Sequence, residues 1–178
     1  MRAFFGLEIE AATALQIAQW RDRQLIVDGR PVPPANFHIT LAFIGELAES
    51  SLERLCRSVD EWLERDGIQG ADLDLQAIGY WQKPGIYWLG PQTWPQQLSQ
   101  LATKLAGLAA RMGGKRDKSA YQPHVTLFRG CNTAPPAPQA VAPIPLSYRQ
   151  FVLFESRQGK SGVSYHPLHH WDLLPPQH

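Results

Sequence analysis

The sequence has few cysteines, little charge imbalance and no long apolar run. Only two of its 178 residues are cysteines, which is typical of a reducing compartment, so we expect a cytoplasmic protein. The net charge of +1 excludes a protein whose main task is to coat long nucleic acid. No stretch approaches the roughly 20 apolar residues that cross a membrane, and no secretory apolar segment follows Glu8 and Glu10. We therefore expect a monomer that does not contact a membrane.

The remaining composition is that of an ordinary folded chain. Hydrophobic residues make up 44% of the sequence and charged residues 19%, so disordered and fibrous classes are excluded. A chain of 178 residues falls within the usual size of one domain, and we expect residues 1–178 to form a single domain.

Apolar periodicity predicts a mixture of strands and helices. Strands are predicted at 2–9, 36–45, 71–81, 85–91, 122–130, 147–156 and 162–174. Helices are predicted at 11–26, 50–66 and 95–112. Because strands and helices do not alternate strictly, the order favours an α+β fold over a parallel doubly wound sheet.

Two finer predictions concern the first two helices. The apolar stripe of the first helix is expected to contain Leu15, Ala18, Leu25 and Ile26. Ser50 or Ser51 is expected to cap the second helix, in which Cys56 lies on the apolar stripe as a buried structural thiol.

Two short stretches of the sequence nearly repeat each other: "HITL" at 38–41 and "HVTL" at 124–127. Side chains alternate along an extended strand, so each histidine shares a face with the threonine two residues later. A single histidine in a strand is more often structural than functional. Two matched copies favour function, because valine or isoleucine would fill the same positions with less loss of hydration.

Paired imidazoles and hydroxyls suit the hydrolysis of a phosphodiester. An unperturbed imidazole has a pKa of about 6.5, so one histidine can remove a proton from water while the other protonates the departing oxygen. Two hydroxyls can hold the non-bridging oxygens, and Arg129, near the end of the second strand, can add a positive charge. An ordinary surface role for Arg129 fits equally well at this point.

Four stretches together resemble the two-histidine (2H) phosphoesterases: "FFGLEI" at 4–9, "NFHITLAFIGE" at 36–46, "PHVTLFRG" at 123–130 and "YHPLHHW" at 165–171. The resemblance is strongest to the bacterial RNA 2′,3′-cyclic phosphodiesterase branch, historically called 2′-5′ RNA ligase. It implies a bilobal α+β fold of two pseudo-symmetric halves, each with an antiparallel sheet and outer helices, around a cleft. It also implies hydrolysis of 2′,3′-cyclic phosphates on RNA ends or nucleosides to 2′-phosphates without a metal or cofactor, with 2′-5′ joining as the reverse reaction.

The resemblance also assigns roles to residues of this chain. His38 and His124 become the catalytic pair, Thr40 and Thr126 hold the phosphate, and Arg129 contacts the phosphate or substrate. A 2′-phosphate product requires the 3′ oxygen to leave. Our hypothesis is that His38 protonates this oxygen while His124 activates water, although the sequence does not separate the two roles.

The loop before the second motif departs from the family pattern. Family members commonly carry an Arg-Pro-Phe-like stretch there, whereas this chain has Ser119, Ala120 and Tyr121. Tyr121 keeps the aromatic character for stacking on a nucleobase, and Tyr165 is expected to flank the cleft. Three basic residues of the loop could supply the missing charge, or could be solvated without a role: Lys115, Arg116 and Lys118.

Two other functions stay open from the sequence. A binding module could use the same cleft to hold phosphorylated RNA or nucleotide ends without turnover. A metal-dependent hydrolase would require the histidines at 166–170 as ligands. These histidines have no acidic or cysteine partner at a recognised spacing, so we expect no metal site.

Overall fold

An antiparallel sheet organises the fold, in a computed structural model that describes residues 1–115, 119–134, 136 and 141–176. The strands are β1 (Arg2–Glu8), β2 (Arg30–Pro31), β3 (His38–Glu46), β4 (Ala71–Trp81), β5 (Ile86–Pro91), β6 (Val125–Arg129), β7 (Ile144–Tyr148), β8 (Gln150–Gly159) and β9 (Gly162–Asp172). The helices are α1 (Ala11–Gln24), α2 (Glu49–Arg65) and α3 (Gln96–Arg111), with a 3₁₀ helix at Pro34–Asn36. The predicted α+β class is confirmed.

The sheet consists of two halves that meet at one residue pair. The strand order is β7-β4-β5-β6-β3-β1-β8-β9, and β2 pairs with β6 beside this path. One half is β7-β4-β5-β6 and the other is β3-β1-β8-β9. Between them, the register of β3 and β6 contains the single antiparallel pair Ile39 and Val125. Both residues immediately follow a motif histidine, so the junction brings the two motifs together.

The main core lies on the face of the sheet that carries Ile39 and Val125. Both side chains are fully buried, and they belong to a core cluster that includes the buried stripes of all three helices. Helical periodicity predicts one stripe here: Leu98, Leu101, Leu105, Leu108 and Met112. The four leucines are buried in α3, whereas Met112 follows the helix and is half-buried. Since neighbouring side chains alternate, this anchoring leaves His38, Thr40 and their counterparts on the opposite face.

The predicted strand at 147–156 is two strands in the structure. β7 pairs with β4, and β8 pairs with β1 in the other half of the sheet, so the chain changes partners at Arg149. No glycine or proline stands at Arg149 or on either side of it to indicate a break, although the residues before it alternate and those after it begin a continuous apolar run at 151–154. The prediction of one strand was therefore wrong. The short β2 was not predicted.

The predicted buried face of the first helix was partly wrong, and the predicted cap of the second helix was wrong. Leu15 is 54% exposed and Ile26, which follows the helix, is 92% exposed. Ala18 and Leu25 are buried as predicted, and Ala14, Ile17 and Arg21 complete the buried face of α1. Ala48, which caps α2, makes no side-chain hydrogen bond, so neither predicted serine is the cap. Cys56, predicted to be buried, is half-buried and packs against the core.

Within the described ranges, no helix has both the length and the apolar character needed to span a membrane.

Candidate active site

Backbone carbonyls fix both motif histidines in the same way. The Nδ1 atom of His38 lies 2.9 Å from the carbonyl oxygen of Asn36, and that of His124 lies 2.8 Å from the carbonyl oxygen of Gln122. A carbonyl can only accept, so Nδ1 carries the proton in both rings. In a neutral imidazole this leaves Nε2 unprotonated, so Nε2 is the nitrogen of each ring that can accept a proton.

The hydroxyl of Thr40 meets Nε2 of His38. Thr40 Oγ1 lies 3.0 Å from His38 Nε2, so the hydroxyl donates to the neutral ring. His124 precedes β6 by one residue, instead of lying within the predicted strand. Continuing the antiparallel register outward from Ile39 and Val125 brings His38 opposite Thr126 and Thr40 opposite His124.

Burial lowers the pKa of both histidines. The pKa of His38 falls from its ordinary value of 6.5 to about 4, chiefly because burial penalises the charged ring. The hydrogen bond to Asn36 opposes this shift, while the charges of Arg129 and His124 add to it. The pKa of His124 is lowered by burial and by Arg129, against the hydrogen bond to Gln122. Both rings are therefore neutral at pH 7 in the free protein.

A β-bulge follows the threonine of each motif. Gly6 pairs with Thr40 but Phe5 pairs with Ala42, so Leu41 is an extra residue in β3. In β6, Trp88 pairs with Thr126 but Tyr87 pairs with Phe128, so Leu127 is the extra residue. Each bulge reverses the alternation of the side chains that follow it.

The two bulges turn Phe43 and Arg129 toward the histidines. Uninterrupted alternation would place both residues on the core face, yet both line the same cavity as His38 and His124. Phe43 is 62% exposed, which is unusual for so large an apolar side chain in a strand. Sequence reasoning missed Phe43, because periodicity alone gives no sign of a bulge.

The cavity between the two halves has a volume of about 1200 Å³. Six of the seven sequence-predicted site residues line it: His38, Thr40, Tyr121, His124, Thr126 and Arg129. This volume exceeds the roughly 300–1,000 Å³ of most small-molecule pockets, so there is room for more than a phosphate group.

Aromatic rings support His38 from behind. The ring of His38 lies 4.9 Å from the ring of Phe4 and 4.9 Å, edge-on, from the ring of Tyr165. Phe4 stacks on Phe154 in a small apolar cluster on this face of β1 and β8. Tyr165, the seventh predicted residue, lines a separate depression of about 190 Å³ that also includes His38. The structure therefore places Tyr165 beside His38 rather than on the main cavity wall.

Two tryptophan rings lie against His124, as aromatic rings do against His38. The ring of Trp81 meets His124 edge-on at 4.6 Å, and the ring of Trp88 lies 6.0 Å from it. A Cβ atom at Gly79 would overlap the indole of Trp88, so only glycine lets this ring lie across the strand. Sequence reasoning did not single out either tryptophan, although both stand in predicted strands.

Tyr121 connects the loop before the second motif to the first motif. Its hydroxyl donates to the carbonyl oxygen of Thr40 at 2.9 Å, and burial raises its pKa. Stacking of its ring on a nucleobase stays a prediction. Lys115 lines the cavity, as a replacement for the missing arginine would. Arg116 and Lys118 lie outside the described residues.

Arg21 is a buried cation that the sequence did not reveal. It is 4% exposed, and its Nη1 donates to the carbonyl oxygens of Val32 at 2.7 Å and Leu127 at 3.2 Å. Its guanidinium lies 5.4 Å from the ring centres of both Phe37 and Phe128. Arg21 thus joins the segment that leads to His38 to the bulge of the second motif.

The C-terminal histidines do not form a metal site in the part of the chain that the structure describes. On β9, His166 is half-buried and His169 and His170 are exposed, and no group of three or more His, Cys, Asp or Glu residues there could hold a metal ion.

Comparison with known proteins identifies the family. The profile of the family described as "LigT like Phosphoesterase" matches residues 7–88 and again residues 89–165, so each copy contains one histidine motif. An Escherichia coli protein named RNA 2′,3′-cyclic phosphodiesterase is 32% identical over 97% of this chain and 96% of its own length. A protein of the same name from Archaeoglobus fulgidus is 27% identical over 72% of each chain.

Solved structures agree with the sequence comparison. The crystal structure of E. coli LigT complexed with 3′-AMP is 32% identical and superposes with a TM-score of 0.87 over 97% of both chains. The apo form of E. coli LigT gives a TM-score of 0.80 over 99% of this chain and 98% of that one. The fold, the repeated motif and full-length identity above 30% lead to one conclusion: this chain belongs to the LigT-like phosphoesterase family.

Proposed function

We propose that the protein hydrolyses 2′,3′-cyclic phosphates at RNA ends, or on nucleosides, to 2′-phosphates. The observation that carries this proposal is the convergence of two His-x-Thr motifs on one cavity, with each imidazole held through Nδ1 by a carbonyl. Full-length relatives named RNA 2′,3′-cyclic phosphodiesterase support the same chemistry. Opening the cyclic phosphate toward the 2′-phosphate breaks the bond to the 3′ oxygen and adds one water.

In this mechanism the two Nε2 atoms move the protons. One neutral histidine takes a proton from the attacking water, and the other, in its protonated form, gives a proton to the departing 3′ oxygen. We keep the hypothesis that His124 is the base and His38 the acid. The low pKa of His38 means that this ring is neutral in the free protein and becomes an acid only when the phosphate anion raises its pKa.

The remaining site residues hold the phosphate in this proposal. Thr40 and Thr126 donate hydroxyl hydrogen bonds to non-bridging oxygens, and Arg129 supplies a positive charge as negative charge builds up. In the free protein the Thr40 hydroxyl donates to His38 Nε2. When substrate binds and this nitrogen gains a proton, the hydroxyl would donate to a phosphate oxygen instead. Each half supplies one histidine, so we propose that residues 1–178 act as one catalytic domain and as a monomer.

We also propose a cytoplasmic location, where the two free thiols Cys56 and Cys131 would stay reduced. Reverse joining of 2′,3′-cyclic and 5′-hydroxyl ends would pass through the same transition state and needs no nucleotide cofactor, because the cyclic phosphate already carries the activation.

The test is turnover of a nucleoside 2′,3′-cyclic phosphate in excess chelator, with identification of the product isomer. We expect the 2′-phosphate, and a loss of about a hundredfold or more in kcat for His38→Ala and for His124→Ala. His170→Ala is the matched control, because His170 is exposed on β9 away from the cavity.

Three outcomes would contradict parts of the proposal. Near-normal turnover in either motif variant would refute the proton-transfer pair. Activity abolished by chelator would favour a metal-dependent hydrolase. Tight binding of the cyclic phosphate without turnover by the wild type would place the protein among binding modules.

A further inference from the structure

Three basic residues lie near one end of the cavity, and none of them forms an ion pair with a described residue. Arg129 and Lys83 line the cavity wall, and Arg30 lies just outside it on β2. All three are exposed.

The backbone holds these three residues close together. Arg30 pairs directly with Arg129 across β2 and β6, so the two side chains project from the same face. The guanidinium of Arg30 lies beside Gly130, where a Cβ would meet Arg30 Nη1 at 2.7 Å. Lys83 stands at the tip of the β4–β5 hairpin, which is fixed to the same region by the hydrogen bond from Cys131 N to Gly85 O at 3.0 Å.

Two arginines directly opposite each other on antiparallel strands destabilise the pairing. Neither arginine forms an ion pair with a carboxylate among the described residues, in a chain whose overall net charge is only +1. A phosphate anion would remove the repulsion. One phosphate is already accounted for by the proposed reaction at the two histidines, but Arg30 lies beyond the cavity wall and is available for a second phosphate.

An aromatic side chain stands between the cations and the catalytic pair. Trp81 is half-buried, lines the cavity and lies next to Lys83 in the same hairpin. Basic residues interleaved with an aromatic ring form the usual binding surface for single-stranded nucleic acid, whose phosphates meet the cations while a base stacks on the ring.

We propose that Arg30 and Lys83 continue from Arg129, which holds the reacting phosphate, as a track for the phosphodiester backbone of single-stranded RNA upstream of the reacting nucleotide. This inference rests on the proposed function and defines its substrate as an RNA end rather than a free cyclic nucleotide. The strand leaves the cleft over the tip of the β4–β5 hairpin and past Arg30.

The experiment compares two substrates with the same terminal base: a pentanucleotide that ends in a 2′,3′-cyclic phosphate, and the corresponding nucleoside 2′,3′-cyclic phosphate. We expect kcat/KM of the wild type to be higher for the pentanucleotide and to fall with increasing salt. Arg30→Gln and Lys83→Gln should each lower the ratio of the two kcat/KM values about two- to fivefold at low salt. Each lost phosphate contact should also reduce the slope of log kcat/KM against log salt by about 0.7.

The matched control is Arg57→Gln, which removes an exposed charge on α2 away from the cavity and should leave the ratio at the wild-type value. If a variant lowers kcat/KM equally for both substrates, the replaced residue has a structural role and the track is overturned. A wild type that does not prefer the pentanucleotide would also overturn it.

A direct binding measurement distinguishes failure of this inference from failure of the proposed function. If the wild type turns over neither substrate, the proposed function fails. The track is then tested by fluorescence anisotropy with a labelled pentanucleotide that ends in a 2′-phosphate. Weaker and less salt-dependent binding by Arg30→Gln supports the track, and unchanged binding overturns it.

Discussion

Replacing Arg21 by methionine should destabilise the protein by about 2–4 kcal/mol. The change keeps the length of the aliphatic stem but removes the guanidinium. The carbonyl oxygen of Val32 then loses its 2.7 Å hydrogen bond from Arg21 and stays buried without that partner, which costs about 1–3 kcal/mol. The carbonyl oxygen of Leu127 keeps the hydrogen bond from Val32 N at 2.9 Å and adds little.

Loss of the cation between two phenylalanine rings accounts for the remainder. Arg21 lies 5.4 Å from the ring centres of Phe37 and Phe128, and a desolvated cation–π contact is worth about 0.5–2 kcal/mol. The ion pair of Arg21 with Asp22 contributes close to nothing, because Asp22 is largely exposed. The sum is a large part of the roughly 5–15 kcal/mol that stabilises an ordinary domain.

Urea unfolding followed by tryptophan fluorescence measures this loss. We expect the midpoint of Arg21→Met to fall by about 1–2 M with an unchanged m value. Arg21→Lys keeps the charge but loses the planar contact with both rings, so its urea midpoint should lie between those of Arg21→Met and the wild type. Arg23→Met is the control, since Arg23 is exposed on the same helix and should change stability by less than about 0.5 kcal/mol. Equal losses of stability for Arg21→Met and Arg23→Met would refute the conclusion that the buried contacts of Arg21 stabilise the fold.

Three further predictions test the site. Burial lowers the pKa of both histidines, and it lowers that of His38 to about 4. The pH profile of kcat/KM should therefore be bell-shaped with its maximum below pH 6.5. A maximum above pH 7 would contradict these pKa shifts. A cyclic substrate with sulfur at the 3′ bridging position needs no proton on its leaving group, so it should rescue His38→Ala but not His124→Ala, and the opposite pattern would exchange the two roles. Gly79→Ala should displace the Trp88 ring, cost about 1–3 kcal/mol and lower kcat, whereas Gly107→Ala in α3, where a Cβ meets no atom, should raise the unfolding midpoint.

The sequence revealed most elements and the two histidine motifs that line the cavity, because these depend on local patterns. Alternation placed His38 and Thr40 on one face with Ile39 in the core, and the repeat of this pattern at His124 indicated a two-part site. The structure brings both copies to one cavity. The helical stripe of α3 was equally clear, since its leucines recur at a regular spacing.

The features that the sequence did not reveal depend on contacts between distant segments. The bulges at Leu41 and Leu127 exist only relative to the neighbouring strands, so the direction of Phe43 could not be predicted from β3 alone. Charged residues on a helix are usually solvated, and the burial of Arg21 depends on carbonyl groups 11 and 106 residues away.

The carbonyl oxygens of Asn36 and Gln122 bind the two histidines through main-chain atoms, which have no side-chain signature in a sequence. The separation of β7 from β8 at Arg149 was missed for a related reason, since the change of partner depends on β4 and β1.

The single pair Ile39–Val125 has a consequence for how the cleft responds to thermal motion. Any small rigid rotation of one half-sheet about this pair displaces an atom in proportion to its distance from the pivot. His38 and His124 are adjacent in sequence to the pivot and have the shortest lever arms, whereas Arg30 and Phe43 lie further out and sweep wider arcs. The mouth of the cleft can therefore widen around a bulky chain while the spacing between the two Nε2 atoms changes least.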